Sequence, residues 1–300
     1  MLILILQLNY SFLNSIVIYT MTTCNICDSK FKKERYYHSH MQLHYNDKKI
    51  MTSYEKTSLD NIELINGIPK VVFVCWFGSF THYNSIMPLN RMNAFKSLVE
   101  HIHVPVILIT EHNYKCFEVK NHNIHEMFPY LSGNHKSDYM RAYLLHHYGG
   151  GYHDIKYRLL SWENEWNVDN WTKDDNIWIY GRREHNADAI GYPPGFKKLQ
   201  EHYNKLVTMG WVICKKKTNY TQDLIIELNN VLDKNKQKLI LYPAIYPGGY
   251  YSTTPFDEAL ENDYPLRWLE MMGEHFHNLM IKYNDKIKFG LPDAVKKKYK

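Results

Sequence analysis

Residues 134–156 read NHKSDYMRAYLLHHYGGGYHDIK, and this stretch contains a helix start, a helix stop and a polar strand end. Asn134 or Ser137 supplies a capping side chain, and Met140, Leu144 and His147 follow at helical spacing. Gly149, Gly150 and Gly151 stop the helix where left-handed backbone is required. A strand is expected from Tyr152, with Tyr152, Asp154 and Lys156 on one face because side chains alternate. A carboxylate and an ammonium then project together from the end of a sheet. Lys136, Ser137 and Asp138 fall in the expected first helical turn, where unpaired N–H groups and the helix dipole favour an anion such as phosphate.

Outward from this stretch the chain alternates between strand and helix patterns. Residues 71–77 form a continuous apolar run of strand length, residues 89–102 show helical periodicity, and residues 104–110 repeat the strand pattern. Further on, strands are expected at 176–180 and 211–215, and helices at 196–207 and 220–232. The pattern predicts an α/β domain, a mixed sheet covered by helices, with ligands beyond the C-terminal ends of its strands.

Lys136, Ser137, Asp138, Arg141, Leu145, Gly149, Gly150, Tyr152 and Asp154 fall in order on K-[SA]-D-x-x-R-x-x-x-L-x-x-x-G-G-x-Y-x-D-x-[DK]. In these residues the chain resembles the GT-A glycosyltransferases of the Och1-like and capsular polysaccharide synthesis families. The resemblance extends from Ile68, Pro69, Lys70 and Cys75, Trp76, Phe77 to Tyr264, Pro265, Leu266, Arg267, Trp268 and Phe276, His277, about three quarters of the chain. It implies a Rossmann-like mixed sheet with helices on both faces and the transfer of a sugar from a nucleotide-sugar donor. It sets Trp76 and Phe77 near the nucleotide base. Asp138 and Arg141, three apart on the helix, either pair with each other or split, Asp138 taking a ribose or sugar hydroxyl and Arg141 phosphate, with Lys136 as a further positive charge. His277 completes metal or phosphate binding in this reading. Asp154 occupies the first aspartate of an Asp-x-Asp pair, and the second is replaced by Lys156. Two chemistries stay open: Lys156 replaces the charge of a metal, or Asp154 still holds one Mn2+ or Mg2+. In both, Lys136, Arg141 and Lys156 stabilise a departing diphosphate.

Before this domain, residues 24–44 follow C-x2-C-x3-F-x5-Y-x2-H-x3-H, which resembles the two-Cys, two-His zinc finger. Cys24, Cys27, His40 and His44 are its expected Zn2+ ligands, with Phe31 and Tyr37 as the small core of a ββα module that needs the metal to fold. The division is then an apolar leader at 1–20, the finger at 21–46, a polar linker at 47–65, the transferase-like domain at 66–293 and a basic tail at 294–300. Residues 1–20 are uncharged and interrupted by Gln7, Asn9, Ser11, Asn14 and Ser15, and they barely reach the roughly 20 apolar residues of a membrane span. A dispensable or mis-called leader, a membrane anchor and a core or amphipathic element all remain open. The other cysteines, Cys75, Cys116 and Cys214, show no disulfide framework and favour a reducing, cytoplasmic setting.

Hydrophobic residues make up 45% and charged residues 22% of the 300, an ordinary globular balance. Residues 21–50 carry six basic and three acidic side chains, so most of the net +5 lies outside the large domain, which lacks the basic excess of a dedicated nucleic-acid binder. The expected function is a glycosyltransferase acting on a glycan or protein acceptor, fused to a finger that contacts nucleic acid or protein. The alternative is a zinc-finger adaptor with an inactive transferase-like domain.

Overall fold

The computed structural model of the protein describes residues 22–23, 30–31, 53–77, 87, 89–190, 196–244 and 264–294. Strands β1 (Thr22–Thr23) and β2 (Lys30–Phe31) pair antiparallel, and β3 (Leu64–Ile65) and β4 (Ile68–Pro69) make a second short hairpin. The main sheet is built from β5 (Val72–Cys75), β6 (Val106–Ile109), β7 (Gly150–His153), β8 (Ile179–Arg183), β9 (Val207–Cys214) and β10 (Ile287–Phe289). Helices are α1 (Leu89–Ile102), α2 (Gly133–His147), α3 (Lys197–Glu201), α4 (Asn219–Leu241) and α5 (Gly273–Lys282).

The six strands lie in the order β10-β8-β9-β7-β5-β6. Strand β5 runs parallel to β6 and β7, β9 is antiparallel to both β7 and β8, and β10 is parallel to β8. One edge of the sheet therefore collects the C-terminal ends of five strands and the N-terminal end of β9. The mixed α/β sheet expected from the sequence is present, with apolar layers on both faces. Val71, Phe73, Cys75 and Phe77 join the layer that includes α2, α4 and α5, while Val72 and Val74 join the layer under α1 with Trp162, Trp166, Trp171 and Trp211. This alternation along β5 explains its unbroken apolar run: both faces of the strand are covered.

Several boundaries move. Helix α1 forms over the expected residues, burying Met92, Phe95, Leu98 and Ile102 at helical spacing. The helix expected over 196–207 stops at Glu201, because Val207 is already paired with Arg183 as the first residue of β9. The strand expected at 176–180 lies instead at Ile179–Arg183, and α4 runs on to Leu241. Residues 53–65, expected as linker, are docked on the domain: Tyr54 meets Phe95 edge-on at 5.4 Å, its carbonyl accepts from Leu108 N–H, and Leu59 and Ile62 pack on the core. Apolar side chains scattered among the charges of this segment pull it down.

Cys24, Cys27, His40 and His44, the leader 1–20 and tail residues 295–300 lie outside the described residues. Among the described residues, no helix is long and apolar enough to cross a membrane.

Candidate active site

The cap of α2 is Ser132, whose hydroxyl accepts from the His135 N–H, ahead of both expected caps, Asn134 and Ser137. Lys136 N–H therefore already donates to the Ser132 carbonyl, and the expected anion cradle of Lys136, Ser137 and Asp138 is corrected: these residues lie beyond the helix's orphan donors. At the other end Gly149 and Gly150 take φ of +72° and +93° and turn the chain into β7. A Cβ at Gly150 would also sit 3.0 Å from the Pro69 carbonyl oxygen.

Helix and strand now bring four charged groups together. Arg141 pairs with Asp138 through Nη2, donates from Nη1 to the Met209 carbonyl at 2.5 Å, and stacks over the Tyr152 ring at 4.5 Å. Tyr152 Oη donates to Asp154 Oδ1 at 3.1 Å, and Lys156 Nζ meets Asp154 Oδ2 at 3.2 Å while lying 5.1 Å from the centre of the Trp211 ring. Main-chain anchoring comes from β9, where Gly210 O accepts from Asp154 N–H at 2.7 Å. Gly210 is a site residue that sequence reasoning missed: a Cβ there would stand 3.1 Å from Asp154 Oδ2 and 3.2 Å from Lys156 Nζ. Its only sequence signal is a glycine inside the apolar run of a strand, a sign of close approach.

The electrostatics divide these groups. Burial pushes the Asp138 carboxyl up to about 6, against the pull of Arg141. Enclosure also acts upward on Asp154, but Lys156 and Arg141 together outweigh it and hold that carboxyl below its ordinary value. Exposure separates the cations: the Lys156 side chain is 32% exposed, Arg141 7% and Lys136 1%. Of the three cations expected to meet a diphosphate, only Lys156 presents its charge to solvent.

The other expected site residues lie apart. Lys136 Nζ is buried 2.5 Å from Glu111 Oε1, at the residue two beyond the end of β6, and burial pulls its ammonium down. Glu111, unforeseen from sequence, is the partly exposed member of that pair. Phe77 is buried edge-on to Tyr114 and Phe128, at 6.2 and 5.5 Å. Trp76 is half-buried against the α1 layer, and its enclosed Nε1 has no partner among the described residues. His277 is fully buried, with Nε2 3.1 Å from the Val207 carbonyl and 3.8 Å from Glu184 Oε1, and burial pulls it down to about 4. Its ring meets none of the four charged groups.

A divalent cation of the magnesium or manganese kind takes several oxygen ligands. Here each carboxylate is already engaged by a cationic side chain, and among the described residues no three His, Cys, Asp or Glu side chains converge as a metal site. The residues as arranged do not fit a resident metal at Asp154 unless Lys156 is displaced.

Residues 20–191, more than half of the 300-residue chain, match the family described as capsular polysaccharide synthesis protein. The chain belongs to that family. No curated protein and no solved structure gives a significant match. The capsular polysaccharide synthesis match takes in α2, β7 and all four charged residues, while Met209 and Gly210, which complete their surroundings, come from the chain beyond it. It also runs through the Cys24 to His44 stretch, where nothing in the comparisons supports a zinc finger.

Proposed function

We propose that the protein is a glycosyltransferase that takes a sugar from a nucleotide-sugar donor and passes it to a glycan or protein acceptor. The observation that supports this is the meeting of Asp138, Arg141, Asp154 and Lys156 at the sheet edge where the parallel strands end, the place where α/β sheets bind ligands. The four charges cancel, so a donor diphosphate needs one cation to leave its partner. Lys156 is the exposed one, on a flexible stem, and its ammonium moves from Asp154 to the phosphate oxygens. Asp154 is then free to accept from a sugar hydroxyl. Arg141 stays behind as the buried cation that keeps both carboxylates ionised and in place. As the sugar–phosphate bond breaks, negative charge grows on the diphosphate oxygens and the Lys156 ammonium stabilises it.

The test is a panel of UDP- and GDP-sugars offered to the full chain, with binding and released nucleoside diphosphate both measured. Binding of at least one donor, with slow hydrolysis in the absence of an acceptor, is the expected result. Folded protein that binds no member of the panel would overturn the reading.

A second element of the proposal is one tetrahedral Zn2+ on Cys24, Cys27, His40 and His44. Its support is the antiparallel pairing of Thr22 with Phe31 and Thr23 with Lys30, two strands that bracket both cysteines in sequence. Metal analysis should find one equivalent of zinc, lost in Cys24→Ser. Less than half an equivalent, unchanged by that substitution, removes the finger from the account.

A further inference from the structure

Behind Asp154, on the opposite face of β7 from Tyr152, His153 and Arg158 form a buried pair. The His153 ring is stacked with Trp211 at 5.6 Å and tilted against Trp162 at 5.5 Å. Its Nδ1 lies 2.5 Å from the Asp154 carbonyl oxygen and its Nε2 lies 3.0 Å from Arg158 Nη1. Arg158 is fully buried, with its guanidinium 4.7 Å from the Trp162 ring centre and Nη2 donating to the Pro292 carbonyl at 3.1 Å. Its Nε has no partner among the described residues, and the carboxylates that act on its charge, Glu165 and Asp293, do so without a direct contact.

A guanidinium only donates, so His153 Nε2 must accept from Arg158. The ring proton of the neutral imidazole therefore sits on Nδ1 and is donated to the Asp154 carbonyl oxygen. Burial, reinforced by the Arg158 charge, keeps the ring neutral by pulling it down to about 3. The Asp154 main chain is thus held at both ends, its N–H by Gly210 and its C=O by His153. The following turn is tied to α1, where Ser97 Oγ donates to Arg158 O at 2.9 Å and Arg91 Nη1 donates to Ile155 O at 3.1 Å.

A buried arginine with no carboxylate in direct contact is a poor stabiliser: burial pulls Arg158 down to about 10 although Glu165 and Asp293 favour its charge, and an apolar side chain of like size is often as stable or more so. We propose that Arg158 and His153 are positioning residues that aim the Asp154 carboxylate and Lys156 ammonium at the donor, by fixing the Asp154 main chain through the protonation site of the His153 ring. This role rests on the donor reading given above.

The experiment uses the full chain at one pH, about 7.5, and four readouts. In protein labelled with nitrogen-15 at histidine, the His153 signal, identified by its loss in His153→Gln, should show a protonated Nδ1 and a bare Nε2. Arg158→Met should keep its melting temperature within a few degrees, yet exchange amide hydrogens of residues 150–158 at least roughly tenfold faster. It should weaken donor binding or slow hydrolysis by roughly fivefold, with Arg158→Lys recovering at least half. In an Asp154→Asn background the Arg158→Met effect on binding should shrink, because residues acting through one group are not additive. A proton on Nε2, unchanged exchange in Arg158→Met, or an undiminished Arg158→Met effect in the Asp154→Asn background would each overturn the positioning role. Wild-type protein that binds no nucleotide sugar fails the donor reading instead, and the histidine signal and amide exchange then decide whether the pair holds Asp154. If Arg158→Met does not fold, Arg158→Lys carries the same exchange and cycle measurements.

Discussion

Arg141→Met should lower the stability of the protein by about 3–5 kcal/mol at pH 8, the usual consequence of leaving a buried charge without its partner. Arg141 touches Asp138, the Met209 carbonyl and the Tyr152 face at once, so its removal strands the Asp138 carboxylate, which is 16% exposed. For a chain of this size the loss corresponds to a fall in melting temperature on the order of 10 °C. Arg141→Lys should rescue little, because one ammonium cannot reproduce two directed bonds and a stacked plane. The pH dependence gives a second signature. Asp138 is already raised to about 6 in the folded protein, and without Arg141 it rises further. A carboxyl raised above its unfolded value near 4 favours the folded state in its protonated form, and that contribution is lost as pH climbs through the folded value. The deficit of Arg141→Met should therefore shrink as pH falls from 8 toward 5, and adding Asp138→Asn should remove most of it. A variant as stable as the wild type at pH 8, measured by thermal or urea unfolding, would show that the pair is not enclosed as described.

The second large effect concerns Lys156 and metal. With donor hydrolysis as the assay, Lys156→Ala should lose ten- to a hundredfold, about 1.4–2.8 kcal/mol of transition-state stabilisation, while EDTA leaves the wild type active. Asp154 and Lys156 are each about one third exposed, so breaking their contact alone should change stability by no more than about 1 kcal/mol. That separates a catalytic loss from unfolding. The opposite pattern, activity abolished by EDTA and indifferent to Lys156→Ala, would mean that a divalent cation displaces Lys156 and sits on Asp154, and the metal-free reading would fall.

The legible parts of the site were those written in local order. Asp138 and Arg141, three residues apart, had to share a helix face, and Asp154 and Lys156, two apart, had to leave the strand on one side; both pairs meet in the structure. Not legible were partners that lie far along the chain. Lys136 looked free for phosphate until Glu111, 25 residues earlier, closed on it. Phe77 looked available to a base, but Tyr114 and Phe128 enclose it. His277, at the far end of the chain, turned inward to Val207.

By itself the sequence determined the mixed α/β class and the helix-glycine-strand order that carries Asp138, Arg141, Asp154 and Lys156, because apolar periodicity and the triple glycine are properties of neighbouring residues and survive without knowledge of the whole. It also settled the helix over 89–102, where apolar spacing and length agree. Only the tertiary structure decided that β9 enters the sheet antiparallel between β7 and β8, bringing Met209 to Arg141 and Gly210 to Asp154. It likewise decided which cations are buried and which one faces solvent. The reason is physical: strand pairing and burial depend on contacts between segments tens of residues apart, whose contribution exceeds the local preferences that a sequence pattern reports.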